Sequence, residues 1–244
     1  MEYLAVLIAG TLAGTLSGVV GTGASLIMMP ILVLAFGPQQ AVPVMAVASV
    51  MGNLGKVLAW RRQVDWPACA AYCASAVPAA AIGVHTLLEL PARLFEVALG
   101  LFFLAMIPLR RWLARRSFRF TLGQLALIGA PVGFFTGILV TTGPITVPVF
   151  TSYGLERGAF VATEAAASLA VYAAKVATFQ GLDALPLSVI ANGVFTGSGL
   201  MAGAFVSRRI LLRMSPPTFR LLIDGLMLVS GVTMLWVAFS PSGV

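Results

Sequence analysis

Two lysines are the residues of this sequence that packing explains least well. Lys56 and Lys175 are the only lysines among 15 basic residues, and each lies in an otherwise apolar stretch. An ammonium group inside a membrane segment is costly, so it usually faces a cavity, a partner or a substrate. Asn53 lies three residues before Lys56 and shares its helix face. We predict that these three side chains bind a small anion. The alternative is snorkelling, in which Lys56, five residues before Arg61, extends its head group to the interface.

Two long apolar segments, 3–36 and 122–153, are rich in Gly, Thr, Ser and Pro. Such residues free backbone groups that lipid cannot satisfy, so a break there survives only where it faces protein or a wet cavity. A helix that stops inside the membrane presents uncapped N–H groups and a positive dipole end, which attract anions. The alternative is that glycine and serine only permit close helix packing. The predicted substrate-binding residues at the breaks are Thr22, Gly23, Ser25, Thr141, Thr142 and Gly143.

Glu164 is a candidate for ion coupling, because it is a protonatable carboxylate inside the sixth apolar segment. The alternative is an acid near a helix N-terminus that pairs with Arg157. No sequence pattern indicates a metal site, a catalytic triad or a phosphate-binding loop. An intramembrane enzyme would need paired acids, a Ser/Lys dyad or a cluster of histidines, and the single histidine argues against one. No cofactor is implied.

The composition is that of a polytopic α-helical membrane protein. Of 244 residues, 59% are hydrophobic and 9% are charged, whereas soluble domains carry about 25% charged residues. The net charge of +7 does not indicate nucleic-acid binding, since the arginines form short clusters between apolar segments, as topology-setting loops do. The apolar segments run roughly over 3–36, 41–60, 66–88, 94–109, 122–153, 158–179, 185–206 and 219–239.

An internal repeat relates the two halves at a shift of 119 residues. The shift carries Lys56 onto Lys175, and it also superimposes glycines, prolines and an Ala-Ser pair. We therefore predict two homologous halves, 1–115 and 118–240, in one integrated membrane domain, joined by the basic linker Arg110–Arg119. The matched pairs are Gly14 with Gly133, Gly18 with Gly137, Ala48-Ser49 with Ala167-Ser168, and Pro67 with Pro186.

The arginine distribution favours an inverted arrangement of the halves. If every segment crossed once, seven arginines would lie on one side and six on the other. If segments one and five turn back at their glycines, twelve lie inside and only Arg93 lies outside, as the positive-inside rule requires. Each half then has a Gly-rich re-entrant helical hairpin and three transmembrane helices, and both termini are extracytoplasmic. Inverted repeats with broken helices are typical of secondary transporters. The alternative is a pair of long, tilted helices.

At the glycine-rich turns the sequence resembles the TauE/SafE family of sulfite exporters and related anion permeases. That family carries a Gly-x-Gly-Gly-Gly pattern followed by proline in the first segment of each half. The stretches 62–66 and 197–216 are also similar to the family. The resemblance implies a permease for sulfite, a sulfonate or another sulfur-containing or carboxylate anion. The two copies here are Gly21-Thr22-Gly23-Ala24-Ser25 with Pro30, and Thr141-Thr142-Gly143 with Pro148.

We therefore expect a secondary transporter that moves a small anion across the cytoplasmic membrane by alternating access. The expected partners are the anion and the lipid bilayer, and no nucleic acid is expected to bind. The sequence leaves a homodimer as one of the alternatives for the oligomeric state. The competing hypothesis is a membrane-embedded partner or assembly protein without transport activity. The short loops of this chain offer such a protein little docking surface.

Overall fold

The computed structural model describes residues 2–20, 24–36, 38–114, 119–139, 143–155 and 157–211, together with 225, 228, 229, 232, 235 and 236. These residues are helical apart from turns and short connections, and no strand occurs among them. The helices are α1 (Glu2–Val20), α2 (Ala24–Phe36), α3 (Pro38–Trp60), α4 (Trp66–Glu89), α5 (Ala92–Ala114), α6 (Leu122–Ile138), α7 (Gly143–Tyr153), α8 (Arg157–Gly181) and α9 (Leu187–Leu211).

The helices are long and apolar, as a multi-pass membrane protein requires. Within the described ranges, four are long and apolar enough to cross a bilayer: Gln40–Gln63, Trp66–Glu89, Gly158–Gly181 and Leu187–Ser207. These stretches match the second, third, sixth and seventh predicted segments. The all-helical, polytopic class predicted from composition is thus confirmed.

Side-chain caps fix the ends of two helices that follow loops. Asp65 caps α4, because its carboxylate accepts a 3.0 Å hydrogen bond from the backbone N–H of Ala68. Thr121 and Gln124 form a capping box at the start of α6. Both devices satisfy N–H groups that the first turn of a helix leaves unpaired.

The first and fifth apolar segments are each divided into two helices. α1 and α2 lie on either side of residues 21–23, and α6 and α7 on either side of residues 140–142. The glycine- and threonine-rich stretches at which we predicted breaks fall between these helices. Thr22, Gly23, Thr141 and Thr142 lie outside the described residues.

Small residues let two pairs of helices cross closely, α1 with α9 and α4 with α6. A Cβ on Gly14 would lie 2.7 Å from the Cα of Leu200, and a Cβ on Gly133 would lie 2.6 Å from the Cα of Ala76. Backbones approach this closely only where one partner has no side chain. Gly14 and Gly133 are matched by the 119-residue shift, so the two crossings correspond. For these glycines, the close-packing interpretation is confirmed.

Contacts along the helices also give their relative directions. On α9, Gly193 contacts Val47 and Gly197 contacts Met51, so α9 runs parallel to α3. α1 is parallel to α9 as well, because Gly10 contacts Thr196 before Gly14 contacts Leu200. α1 and α3 therefore point the same way, and the chain runs back between them through α2.

The second half of the chain repeats this arrangement. Gly129 contacts Ser75 and Gly137 contacts Gly83, so α6 runs parallel to α4. α4 is in turn parallel to α8, since Asp65 bonds to Thr163 and Cys73 lies 3.8 Å from the carbonyl oxygen of Ala167. α6 and α8 therefore share a direction, with α7 between them.

α3 and α8 pack against each other in antiparallel fashion at the centre of the molecule. Trp60 lies against Gly158, Lys56 against Glu164, and Ser49 against Tyr172. These two helices are repeat mates at the 119-residue shift. α5 continues to Ala114, so it includes the first five residues of the predicted linker.

Candidate functional site

Polar side chains follow one face of α3 and the facing side of α8. On α3 they occur at spacings of four and three residues, and on α8 at spacings of four, four and three, which keeps each set on one helix face. Apart from Ser168, which is partly buried, they are buried within the helix bundle. We call this set the polar interface; it consists of Ser49, Asn53, Lys56, Glu164, Ser168, Tyr172 and Lys175.

A buried ion pair joins the two helices at one end of the polar interface. The Lys56 Nζ atom lies 3.7 Å from Oε2 of Glu164. Ser168 donates a 2.8 Å hydrogen bond to the other carboxylate oxygen, and Thr146 of α7 also faces this carboxylate. Lys56 and Glu164 are 5% and 3% exposed. Lys56 is therefore directed into the protein, and snorkelling does not describe it.

The centre of the polar interface contains hydroxyl and amide groups. The Tyr172 hydroxyl lies against the hydroxyls of Ser25 and Ser49, which brings the start of α2 to the α3–α8 pair. Asn53 is 6% exposed, and its amide makes no hydrogen bond within the described part of the chain. Buried amides are normally hydrogen-bonded. Asn53 therefore retains donor and acceptor capacity for a bound ligand.

Lys175 occupies the other end of α8 and contacts the end of a broken helix. Its ammonium donates hydrogen bonds to the carbonyl oxygens of Thr136, at 2.9 Å, and Leu139, at 3.2 Å. The ring of Phe179 lies 5.8 Å from the Nζ atom. The last carbonyls of a helix have no intrahelical partner and carry the negative end of the dipole. Lys175 thus satisfies and neutralises the end of α6 where the fifth segment breaks.

The two lysines are equivalent in the repeat but have different electrostatic partners. Glu164 neutralises Lys56, while the repeat mate of Glu164 is Met45. Among the described residues, Lys175 accordingly has no carboxylate in contact, although two carbonyl dipoles face it. The polar interface therefore contains two amino groups and one carboxyl group.

The structure brings together five of the predicted site residues. Ser25, Asn53, Lys56, Glu164 and Lys175 lie in or against the polar interface. Gly143 is the first residue of α7, and the other four predicted residues lie outside the described part. The sequence interpretation did not include Ser49, Ser168, Tyr172 or Thr146. The internal repeat could have identified three of them, since Ser49 matches Ser168 and Asn53 matches Tyr172 at a shift of 119 residues.

Within the described ranges, no three His, Cys, Asp or Glu side chains are grouped so that they could hold a metal ion. Cys69 and Cys73 are free thiols on α4. The polar interface instead combines amino, hydroxyl, amide and carboxyl groups.

A family model described as Sulfite exporter TauE/SafE matches residues 6–234 of the chain. No curated protein and no solved structure matches it. The family match covers nearly the whole sequence, and it agrees with the all-helical fold and with four helices able to cross a bilayer. The chain belongs to the TauE/SafE family of sulfite exporters and is a multi-pass membrane permease of that family.

Proposed function

We propose that the protein is a secondary transporter that moves a small anion by alternating access between two inverted halves. The proposed substrate is a sulfur oxyanion, a sulfonate or a carboxylate, held at the polar interface. The observation that carries the proposal is the buried contact of two repeat-mate helices, α3 and α8, whose buried polar side chains include two lysines and one carboxylate.

The directions of the helices support two inverted halves, 1–115 and 118–240. α3 and α8 are matched by the repeat yet run antiparallel, as an inverted repeat requires. α1 and α3 point the same way, which fits a first segment that enters the membrane and returns. With the arginine count, these directions support extracytoplasmic termini in the cytoplasmic membrane.

The polar groups support an anion over a cation. α2 begins at Ala24 and α7 at Gly143, and the first turn of a helix has N–H groups without an intrahelical partner. Ser25 and Asn53 add donors, and the interface has two amino groups against one carboxyl group. A cavity of about 380 Å³ at the end of α3 is lined by the exposed Arg61 and Arg62, which suits an entrance for anions.

The substrate would contact one lysine at a time rather than both together. Lys56 contacts Glu164, and Lys175 is eleven residues further along α8, about 16 Å at the helical rise. Ser25, Asn53 and Tyr172 lie between these ends. Tight binding at both lysines at once is therefore not expected for a small anion. Sequential contact with one and then the other fits transport from one face to the other.

Flux into proteoliposomes tests the proposed function. Purified protein is reconstituted, and uptake of sulfite, thiosulfate, methanesulfonate, sulfoacetate and acetate is measured against protein-free vesicles. We expect saturable uptake of at least one of these anions, and little uptake by Lys56→Met reconstituted in equal amount. Absence of uptake for the whole series would support the partner or assembly hypothesis instead. Cross-linking in native membranes tests the homodimer separately.

A further inference from the structure

We infer that Glu164 is a built-in counter-anion of Lys56, which the substrate replaces, so that each monovalent anion bound at Lys56 is accompanied by one proton bound at Glu164. The inference rests on the proposed function and adds its coupling: the transported unit is an anion with a proton.

The distance and the hydrogen bonds of the Lys56–Glu164 ion pair suit a contact in which another anion can replace the carboxylate. At 3.7 Å, the distance between Lys56 Nζ and Glu164 Oε2 is longer than a charge-assisted hydrogen bond. Within the described part of the chain, no donor bonds to this oxygen. The other oxygen is held by Ser168 on the same helix. The carboxylate is thus anchored to α8 by one oxygen and faces α3 with the other.

Among the described residues, the surroundings of Glu164 contain no second cation that could stabilise an additional negative charge. The titratable and charged groups facing it are Lys56 from α3, Tyr72 from α4 and Tyr172 from α8 itself. α6 has no charged side chain, and α7 contributes only hydroxyl groups near this carboxylate. One ammonium therefore serves one carboxylate.

Charge balance then requires a proton when a substrate anion enters. A substrate anion at Lys56 would place two anions beside a single cation in a buried site, and like charges at such distances exclude one another. If Glu164 accepts a proton from solution on Oε2, the anion takes its place at the ammonium and the site keeps its net charge. The protonated carboxyl keeps Ser168 as a partner, since both groups donate and accept hydrogen bonds.

The repeat explains why only one end of the interface can act in this way. At the position equivalent to Glu164, the first half has Met45. Lys175 contacts carbonyl oxygens, which cannot take up a proton at ordinary pH. The inference therefore predicts that one proton is bound at Glu164 in each transport cycle.

The experiment measures protons bound on addition of anion. Purified protein in a weakly buffered solution with a pH indicator is titrated with methanesulfonate and with acetate, both of which are monovalent between about pH 6 and 8. For the one that flux measurements show to be transported, we expect uptake of about one proton per anion bound. We expect affinity to fall by about tenfold for each unit of rising pH while Glu164 is ionised.

Two variants give the matched comparison. Glu164→Gln should bind the anion without proton uptake and with little pH dependence, because the competing charge is gone. Glu89→Gln removes an exposed carboxylate on α4 and should behave as the parent protein. Anion binding without proton uptake in the parent protein overturns the inference and leaves the proposed function intact. Proton uptake that persists in Glu164→Gln also overturns it, whereas absence of any flux or binding would refute the proposed function itself.

Discussion

Lys175 donates a 2.9 Å hydrogen bond to the carbonyl oxygen of Thr136, in the last turn of α6. The same ammonium reaches the carbonyl oxygen of Leu139, where the backbone becomes extended and the helix ends. Lys175 is 0% exposed, so water cannot replace it as a partner of these carbonyls. The interrupted helix and the buried cation thus stabilise each other.

Lys175→Met should lower stability as well as transport. The substitution keeps an aliphatic chain but leaves two buried carbonyl oxygens without their donor, each at a cost of about 1–3 kcal/mol. We expect a lower thermal unfolding midpoint in detergent, measured by the intrinsic fluorescence of the purified protein. Gln180→Met, at an exposed position of the same helix, is the matched control and should leave the midpoint unchanged. Equal midpoints for both variants would contradict the capping role.

The sequence predicted the elements of this site better than their contacts. Glycine-rich breaks and two buried lysines can be recognised locally, because glycine spacing and a cation among apolar residues are properties of single segments. The pairing of Lys56 with Glu164 depends on a helix packing 108 residues further along the chain, and no local pattern encodes it. From the sequence alone, Arg157 is the alternative partner for Glu164, because the two residues lie close together in the chain.

Tyr172 illustrates a second limit of sequence interpretation. An aromatic residue in an apolar helix is most often a core residue, and its apolar ring does pack in the core here. Its hydroxyl, however, meets Ser25 and Ser49 at the polar interface. The 119-residue shift makes Tyr172 the equivalent of Asn53. This correspondence between two polar positions is the sequence feature that could have identified Tyr172.

Gly133→Ala should destabilise the protein. Its Cβ would lie 2.6 Å from the Cα of Ala76, which is backbone and cannot rotate away. Overpacking of this kind typically costs about 1–3 kcal/mol. Gly123→Ala on the same helix has open space within 4 Å and should keep or slightly raise the unfolding midpoint. Similar midpoints for the two variants would show that α4 and α6 can move apart without a loss of stability.

The inverted arrangement predicts opposite accessibility for two equivalent positions. Gln63 follows α3 and Leu182 follows α8, they are matched by the 119-residue shift, and both are exposed. Cys69 and Cys73 are replaced by alanine, and single cysteines are introduced as Gln63→Cys or Leu182→Cys. A membrane-impermeant maleimide applied to whole cells should label the second variant and reach the first only after the membrane is opened. Labelling of both variants from the same side would refute the inverted topology. In a separate test of the termini, cysteines introduced near Glu2 and Ser242 should be labelled from outside the cell.

Asn53→Leu separates ligand binding from stability. The Asn53 amide is 6% exposed and makes no hydrogen bond in the described part of the protein, so the folded state gains little from it. Leucine of similar size should therefore leave the unfolding midpoint equal or higher.

The same substitution should weaken anion binding by about tenfold or more, since a hydrogen bond to a charged group contributes about 1.5–3 kcal/mol. Affinity is measured by ligand-induced shifts of the unfolding midpoint with the anion that the flux assay identifies. Leu54→Asn on the exposed neighbouring position is the matched control, because it introduces an amide that points away from α8. Parental affinity in Asn53→Leu would place the anion elsewhere than at this part of the polar interface. Loss of affinity at an unchanged midpoint would identify Asn53 as a residue whose amide serves the ligand rather than the fold.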